Sequence, residues 1–125
     1  MVFLCARVQA NVPQPSFSAL VAELLYTFSF VFVILSVCAA PRSPNAYHGL
    51  AIGGTLLAGV QATGPLSGGV LNPAVGIALS AMSSMAAGTP FLYAWLYLVG
   101  PGLGATLAAF TFMWLNRPEV SRCVS

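Results

Sequence analysis

The sequence predicts an all-α membrane protein with three transmembrane helices and one re-entrant half-helix. Three observations carry that prediction. The 125 residues are 58% hydrophobic and only 5% charged, with a mean hydropathy of +0.90. A soluble domain carries about 25% charged residues, so this chain cannot keep a water-facing surface. Three apolar runs, at about 16–40, 46–63 and 91–115, have lengths suited to crossing a bilayer. Between the second and third lies Gly64-Pro65-Leu66-Ser67-Gly68-Gly69-Val70-Leu71-Asn72-Pro73-Ala74-Val75, too rich in Gly and Pro to be a continuous membrane helix. A net charge of +2 gives no basis for nucleic-acid binding. No nucleophile–base pair, metal-ligand cluster or phosphate loop occurs, so neither an enzyme nor a cofactor or metal is expected. Cys5, Cys38 and Cys123 are far apart and odd in number, which reads as unpaired thiols near membrane interfaces.

Residues 1–15, with Arg7, Pro13 and Pro15, read as a tail or partial loop outside the bilayer. They lack the pattern of a cleavable signal, and the first helix can itself serve as the targeting signal. The run from Ser16 to Ala40 is broken by one charge, Glu23. A carboxylate at membrane depth is expensive and is a functional or architectural hypothesis by default. Glu23 shares a helix face with Ala19 and Thr27, a face that should point into the bundle. Either Glu23 accepts hydrogen bonds from the backbone of the re-entrant loop, or it lies near the interface and snorkels. It is not expected to be a proton relay, since no second ionisable group lies in a span.

Pro41-Arg42-Ser43-Pro44-Asn45 is a turn by composition, and His48 after it reads as a solvated interfacial side chain. The span at 46–63 is weakened by Gly49, Gly53, Gly54 and Gly59. Gly49 and Gly53 are four apart and make a smooth stripe that another helix can approach. The re-entrant segment is placed at 64–84. Asn72-Pro73 is a helix start, because Asn is a favoured N-cap and Pro fits the first helical position. The helix is expected to end near Ser80–Ser84, about 15 Å on, or half of a ~30 Å hydrocarbon core. Irregular backbone at that depth is tolerated only where it is buried in protein or lines a wet cavity.

Ser83–Thr89 returns the chain to the surface, and Pro90 precedes the third span. Phe91, Tyr93, Trp95, Tyr97 and Trp114 resemble interfacial belts. Gly100, Gly104 and Ala108 form a small-residue face for tight packing, and Pro101 is tolerated because neighbours can satisfy the freed carbonyl. Residues 116–125 are read as a cytoplasmic tail. Three spans put Arg42, Arg117 and Arg122 on one side against Arg7 on the other. The positive-inside rule makes the first side cytoplasmic, so the loop enters from the opposite face.

Asn72-Pro73-Ala74, preceded by Ser67-Gly68-Gly69, resembles the signature loop of the aquaporin (major intrinsic protein) family. The surrounding order strengthens the likeness: Ala22-Glu23-Leu24-Leu25, then Gly49-Leu50-Ala51-Ile52-Gly53, the loop, and Trp95-Leu96-Tyr97-Leu98-Val99-Gly100-Pro101. It covers about residues 17–115 and corresponds to the carboxyl-terminal half of such a channel, one of two inverted repeats. The resemblance implies half of an aquaporin-like fold, with Glu23 as loop support. It also implies Asn72, Pro73 and Ala74 as the pore motif, Val60, Gly69 and Val75 at selectivity-filter positions, and the carbonyls of Gly68, Gly69, Val70 and Leu71 lining the pore.

Several positions depart from the family pattern. No second Asn-Pro-Ala occurs, and Asn11-Val12-Pro13 is no substitute. Val75 stands where most members have Arg, although some plant vacuolar members also have Val. Val60 stands where many water-selective members have His. Gly76 replaces the Asp of glycerol channels, and Leu98 replaces a Trp that usually follows the tyrosine. The implied mechanism is passive passage of water or small neutral solutes. The Asn72 amide donates a hydrogen bond, loop carbonyls accept others, and the roughly +0.5 charge at the half-helix start disfavours cations. An apolar, uncharged constriction at Val60, Gly69 and Val75 predicts looser selectivity, admitting urea, ammonia or similar solutes.

The expected partners are membrane lipid, the permeating solute and, for activity, a complementary half-repeat; a homo-oligomer is implied by resemblance. One repeat makes half a pore wall. The expectation for the isolated 125 residues is a non-conducting fragment, from a truncated product or incomplete gene model; pairing with a second chain and a small packing or scaffold protein are the other readings. Pairing of two inverted copies conflicts with the three-to-one Arg bias.

Overall fold

The computed structural model describes residues 17–39, 46–87 and 94–116. The amino-terminal tail with Arg7, the Pro41–Asn45 turn, the residues around Thr89–Tyr93, the carboxyl tail after Asn116, and Cys5 and Cys123 lie outside the described residues. The described part is all-helical, with α1 at Phe17–Cys38, α2 at His48–Ser67, α3 at Pro73–Ala87 and α4 at Ala94–Leu115.

The two 22-residue helices, α1 and α4, are long and apolar enough to cross a membrane. At 1.5 Å per residue each is about 33 Å long, against a ~30 Å hydrocarbon core. α2 has 20 residues but does not reach the same apolarity. Its glycines, Thr55, Gln61 and Thr63 explain the shortfall.

α1 packs against α4 and α2, and α3 packs against α4. The contacts fix directions. A Cβ on Gly100 would lie 3.4 Å from the Leu20 carbonyl oxygen, and one on Gly104 would strike the Leu24 carbonyl oxygen and Phe28 nitrogen. Rising numbers on α1 therefore meet rising numbers on α4, so these helices run parallel. On α2 the order reverses: Glu23 meets Ser67, and Tyr26 lies against Gly59. α2 is antiparallel to both.

Buried positions on α4 are Ala94, Leu96, Tyr97, Gly100, Pro101, Gly104, Ala108 and Phe112. From Tyr97 on this is a stripe of three- and four-residue steps, the face that α1 covers. Small residues let the backbones approach, and dispersion over the whole seam replaces a hydrophobic force that lipid cannot supply. On α1 the matching buried face is Ala19, Ala22, Glu23 and Thr27. Ala19, Leu96 and Tyr97 form a cluster with Leu20 and Val70 packed on it.

Three expectations need correction. α2 continues through Pro65 to Ser67, four residues past its expected end at Thr63. Proline in a last turn removes only one intrahelical donor, and Gly68, at φ 89°, closes the helix with its N–H on the Gly64 carbonyl. The Asn72-Pro73 helix runs to Ala87 rather than stopping near Ser80–Ser84. Ser84 Oγ donates to the Ser80 carbonyl at 2.8 Å, so a hydroxyl that could have broken the helix is satisfied within it. At 15 residues α3 is about 22 Å long, still short of a full crossing. Finally, Gly49 and Gly53 have nothing within 4 Å of an added Cβ, so no described helix of this chain occupies their stripe. Cys38 is unpaired and exposed at the end of α1, and His48 is half-buried at the start of α2.

Candidate functional site: a buried carboxylate and a capped half-helix

The five residues Gly68–Asn72 link α2 to α3 and hold the signature motif. Their backbone needs unusual angles. Gly68 and Gly69 have positive φ, and so does Leu71 at φ 51°. For a leucine the left-handed region costs about 1–2 kcal/mol. The strain is offset locally. Leu71 is buried with its Cδ1 against Gly59, where burial of a leucine side chain is worth about 1.5–3 kcal/mol. Any side chain on Gly59 would collide with that Cδ1, which explains the glycine. Gly69 sits against the Val60 backbone, where a Cβ would be 2.9 Å from the Val60 carbonyl oxygen.

Glu23 is 0% exposed and does not snorkel. Its carboxylate accepts hydrogen bonds from the Leu71 N–H (2.8 Å, to Oε2), the Val70 N–H (3.2 Å, to Oε1) and the Ser67 hydroxyl (to Oε1). Bonds to a charged acceptor are roughly twice as strong as neutral ones, which is what makes a buried carboxylate tolerable. Glu23 lies six residues after Phe17, about 9 Å along α1 from its start. The loop is tied to that level.

The aromatic run puts Tyr97 in an interfacial belt with Trp95. The belt does not include it. Tyr97 is buried, and its hydroxyl donates to the Ser67 carbonyl at 2.6 Å, one of the acceptors left open at the end of α2. Its ring lies against Gly76 of α3, where a Cβ would overlap Tyr97 Cβ. Trp95 and Trp114 are exposed. Tyr97 is thus a second support of the loop that motif reading missed. The signal was present: Tyr97 continues the Gly100–Gly104–Ala108 stripe backwards by three residues.

The peptide geometry then fixes what faces away from Glu23. All described peptides are trans, and a trans peptide points its C=O opposite to its N–H. The Val70 and Leu71 N–H groups point at Glu23, so the carbonyls of Gly69 and Val70 point away from it. Asn72 caps α3 with its side-chain oxygen, accepting from the Ala74 N–H at 3.0 Å. That leaves the Asn72 side-chain NH2 as a donor on an exposed residue. Val60 and Val75 are also open, at 39% and 45% exposure, while Gly69 is half-buried. The loop therefore has a closed side, held by Glu23, Ser67 and Tyr97, while Asn72, Val60 and Val75 are each exposed. No group of His, Cys, Asp or Glu among the described residues could hold a metal ion.

Residues 4–112 match the family described as Major intrinsic protein. The chain is 33% identical over 112 residues to Aquaporin NIP1-1 of Zea mays, covering 86% of this chain and 38% of that protein. It is 35% identical over 103 residues to Aquaporin NIP1-1 of Oryza sativa subsp. japonica, covering 80% and 34%. It is 34% identical over 111 residues to Aquaporin AqpM of Methanothermobacter marburgensis, covering 86% and 45%. The chain thus spans less than half the length of these curated relatives. No solved structure matches it. Major intrinsic proteins are integral membrane channels and not enzymes. With most of its length in that match and two helices fit to cross a bilayer, the chain belongs to the major intrinsic protein family.

Proposed function

We propose that this chain forms one half of the wall of a passive channel for water and small neutral solutes, and that conduction requires a complementary half-repeat. In this reading α1, α2 and α4 cross the membrane, and the Gly68–Asn72 loop with α3 is re-entrant. The alternating directions of α1, α2 and α4 support three crossings. The observation that carries the proposal is the fully buried Glu23 carboxylate gripping the Val70 and Leu71 amides. It holds the loop so that two carbonyls and the Asn72 amide face the other way, toward the passage.

A permeating molecule stripped of bulk water there has the Asn72 NH2 as donor and the Gly69 and Val70 carbonyls as acceptors. The partial positive charge at the start of α3 repels cations, protons included. Val60, Gly69 and Val75 bring no charge and little bulk to the wall. A wide apolar constriction should admit urea or ammonia as well as water. The resemblance also implies a homo-oligomer, with lipid around it.

The isolated chain is proposed to be non-conducting, because the exposure of Val60, Asn72 and Val75 leaves the passage without its second wall. The test is osmotic swelling of proteoliposomes. The chain alone should stay at the lipid background. Fused behind the amino-terminal half of a related aquaporin, it should swell several-fold faster and admit urea. A membrane-inserted, folded fusion that leaves permeability at background contradicts the proposal, and one that passes water but no larger neutral solute contradicts its selectivity.

A further inference from the structure

Gln61 carries a primary amide on the exposed surface of α2. Its side chain has no hydrogen-bond partner among the described residues. It is also deep. Ser67 meets Glu23 and Gly59 lies against Tyr26, so Gln61, between them on α2, sits about 9–14 Å along α1 from its start at Phe17. With α1 and α2 crossing the bilayer, that level is inside the hydrocarbon, where an amide has no water to bond and is costly to leave alone. Nor does the residue face α1. At about 100° per residue, Gln61 is roughly opposite the buried Gly59 and Thr63, and about 100° round from Val60.

The face around it has a period. Leu50, Gly54, Leu57, Gln61 and Gly64 follow in steps of four, three, four and three. That is the roughly 3.5-residue repeat of a seam between two helices. Leu50 and Leu57 are strongly exposed, and an added Cβ on Gly54 or Gly64 would meet nothing within 4 Å. The described helices of this chain leave the seam open.

The amide selects the occupant. A polar residue at one seam position pairs with its equivalent and fixes register and helix number. An amide is its own complement: two of them across a twofold axis make two reciprocal N–H···O bonds. Both must then lie at one depth, on parallel helices. Copies inserted under the same arginine bias share one orientation and meet that condition. An inverted half-repeat is antiparallel, and the passage places it on the Val60 side.

We infer that α2 is a self-association surface. A second copy of this chain, in the same orientation, packs α2 against α2 along Leu50, Gly54 and Leu57, with the two Gln61 amides bonded to each other. The Val60 side stays free for a complementary half. The inference rests on the channel reading only in taking α2 to cross the membrane.

The test is association of the full chain in liposomes, read without transport, so a fusion that fails to conduct leaves its result standing. A dye on Cys38, with Cys5 and Cys123 changed to Ser, should bleach in two steps at moderate protein density. Gln61→Leu suits hydrocarbon and should raise the density needed for pairing about tenfold. Gln61→Asn should restore most of the pairing. Position is read separately, in a chain with all three cysteines changed to Ser. Leu57→Cys should form a disulfide-linked dimer under mild oxidation, and Leu56→Cys, about 100° round toward Val60, should not. One bleaching step at every density overturns the inference, and so does undiminished pairing in Gln61→Leu. Cross-linking at Leu56→Cys without Leu57→Cys also overturns it, since the copy would then sit on the passage side.

Discussion

Two glycine stripes in this chain look alike on paper and end differently. Gly100 and Gly104 on α4 are pressed into α1 so closely that an added Cβ would meet Glu23 Cβ or the backbone around Leu24. Gly49 and Gly53 on α2 have the same spacing and open space around them. The spacing of small residues shows that a helix can approach; it does not say which helix does. Their neighbours make the difference. The α4 stripe faces α1 at the level of Glu23, whose three hydrogen bonds draw α1, the end of α2 and the loop into one unit, with Tyr97 adding α4 to it. The α2 stripe meets no described helix of this chain. It continues by steps of three and four through Leu56 to Val60, an exposed residue whose backbone lies against Gly69 of the loop.

That contrast is open to attack from both sides. Glu23→Ala should do the most damage, because it leaves the Leu71 and Val70 amides without an acceptor and the Ser67 hydroxyl with only the Thr63 carbonyl. A stability loss of about 3–5 kcal/mol is expected in a denaturation series in mixed micelles, since each stranded group costs about 1–3 kcal/mol. Gly104→Val comes next. The clash is with backbone, so α1 and α4 must part, at about 3 kcal/mol by the same measurement. Tyr97→Phe removes one bond to the Ser67 carbonyl and should cost about 1 kcal/mol, with faster exchange at the Gly68 amide beside it. Gly53→Ala should do least to the chain alone. It should leave stability unchanged or raise it by up to about 1 kcal/mol, the helix preference of Ala over Gly. In the fusion with a complementary half, the same substitution should slow swelling, because the stripe is then expected to have an occupant. A large loss from Gly53→Ala in the isolated chain would erase the distinction between the stripes.

Much of this arrangement was legible in the residues. Low charge and run length gave the helices, and Asn72-Pro73 gave the start of α3. What the residues left open was decided by long-range partners. Glu23 could have snorkelled or turned inward; contact with a loop more than 40 residues away selected the second. Tyr97 read as an interfacial aromatic because such belts are common, and only the nearness of Ser67 and Gly76 accounts for its burial. The ends of α2 and α3 lie later than their residues suggest. Pro65 and Ser84 are helix-weakening residues in isolation, but a proline in a last turn and a hydroxyl bonded one turn back do little harm. The positive φ of Leu71 left no trace in the sequence, since a leucine there is held by its surroundings and not by its own preference.

The central claim is that Glu23 holds the start of α3 well inside the bilayer. Depth at Val75, an exposed residue three positions past Asn72, tests this most directly. A spin label at Val75→Cys, with Cys5, Cys38 and Cys123 changed to Ser, can be read by collision with oxygen and with a water-soluble nickel chelate. The account predicts a depth on the order of 10 Å or more below the headgroups, from the ~9 Å setting of Glu23 along α1, and a shallower or scattered reading once Glu23→Ala is added. A label at the lipid–water boundary in the parent chain would contradict it.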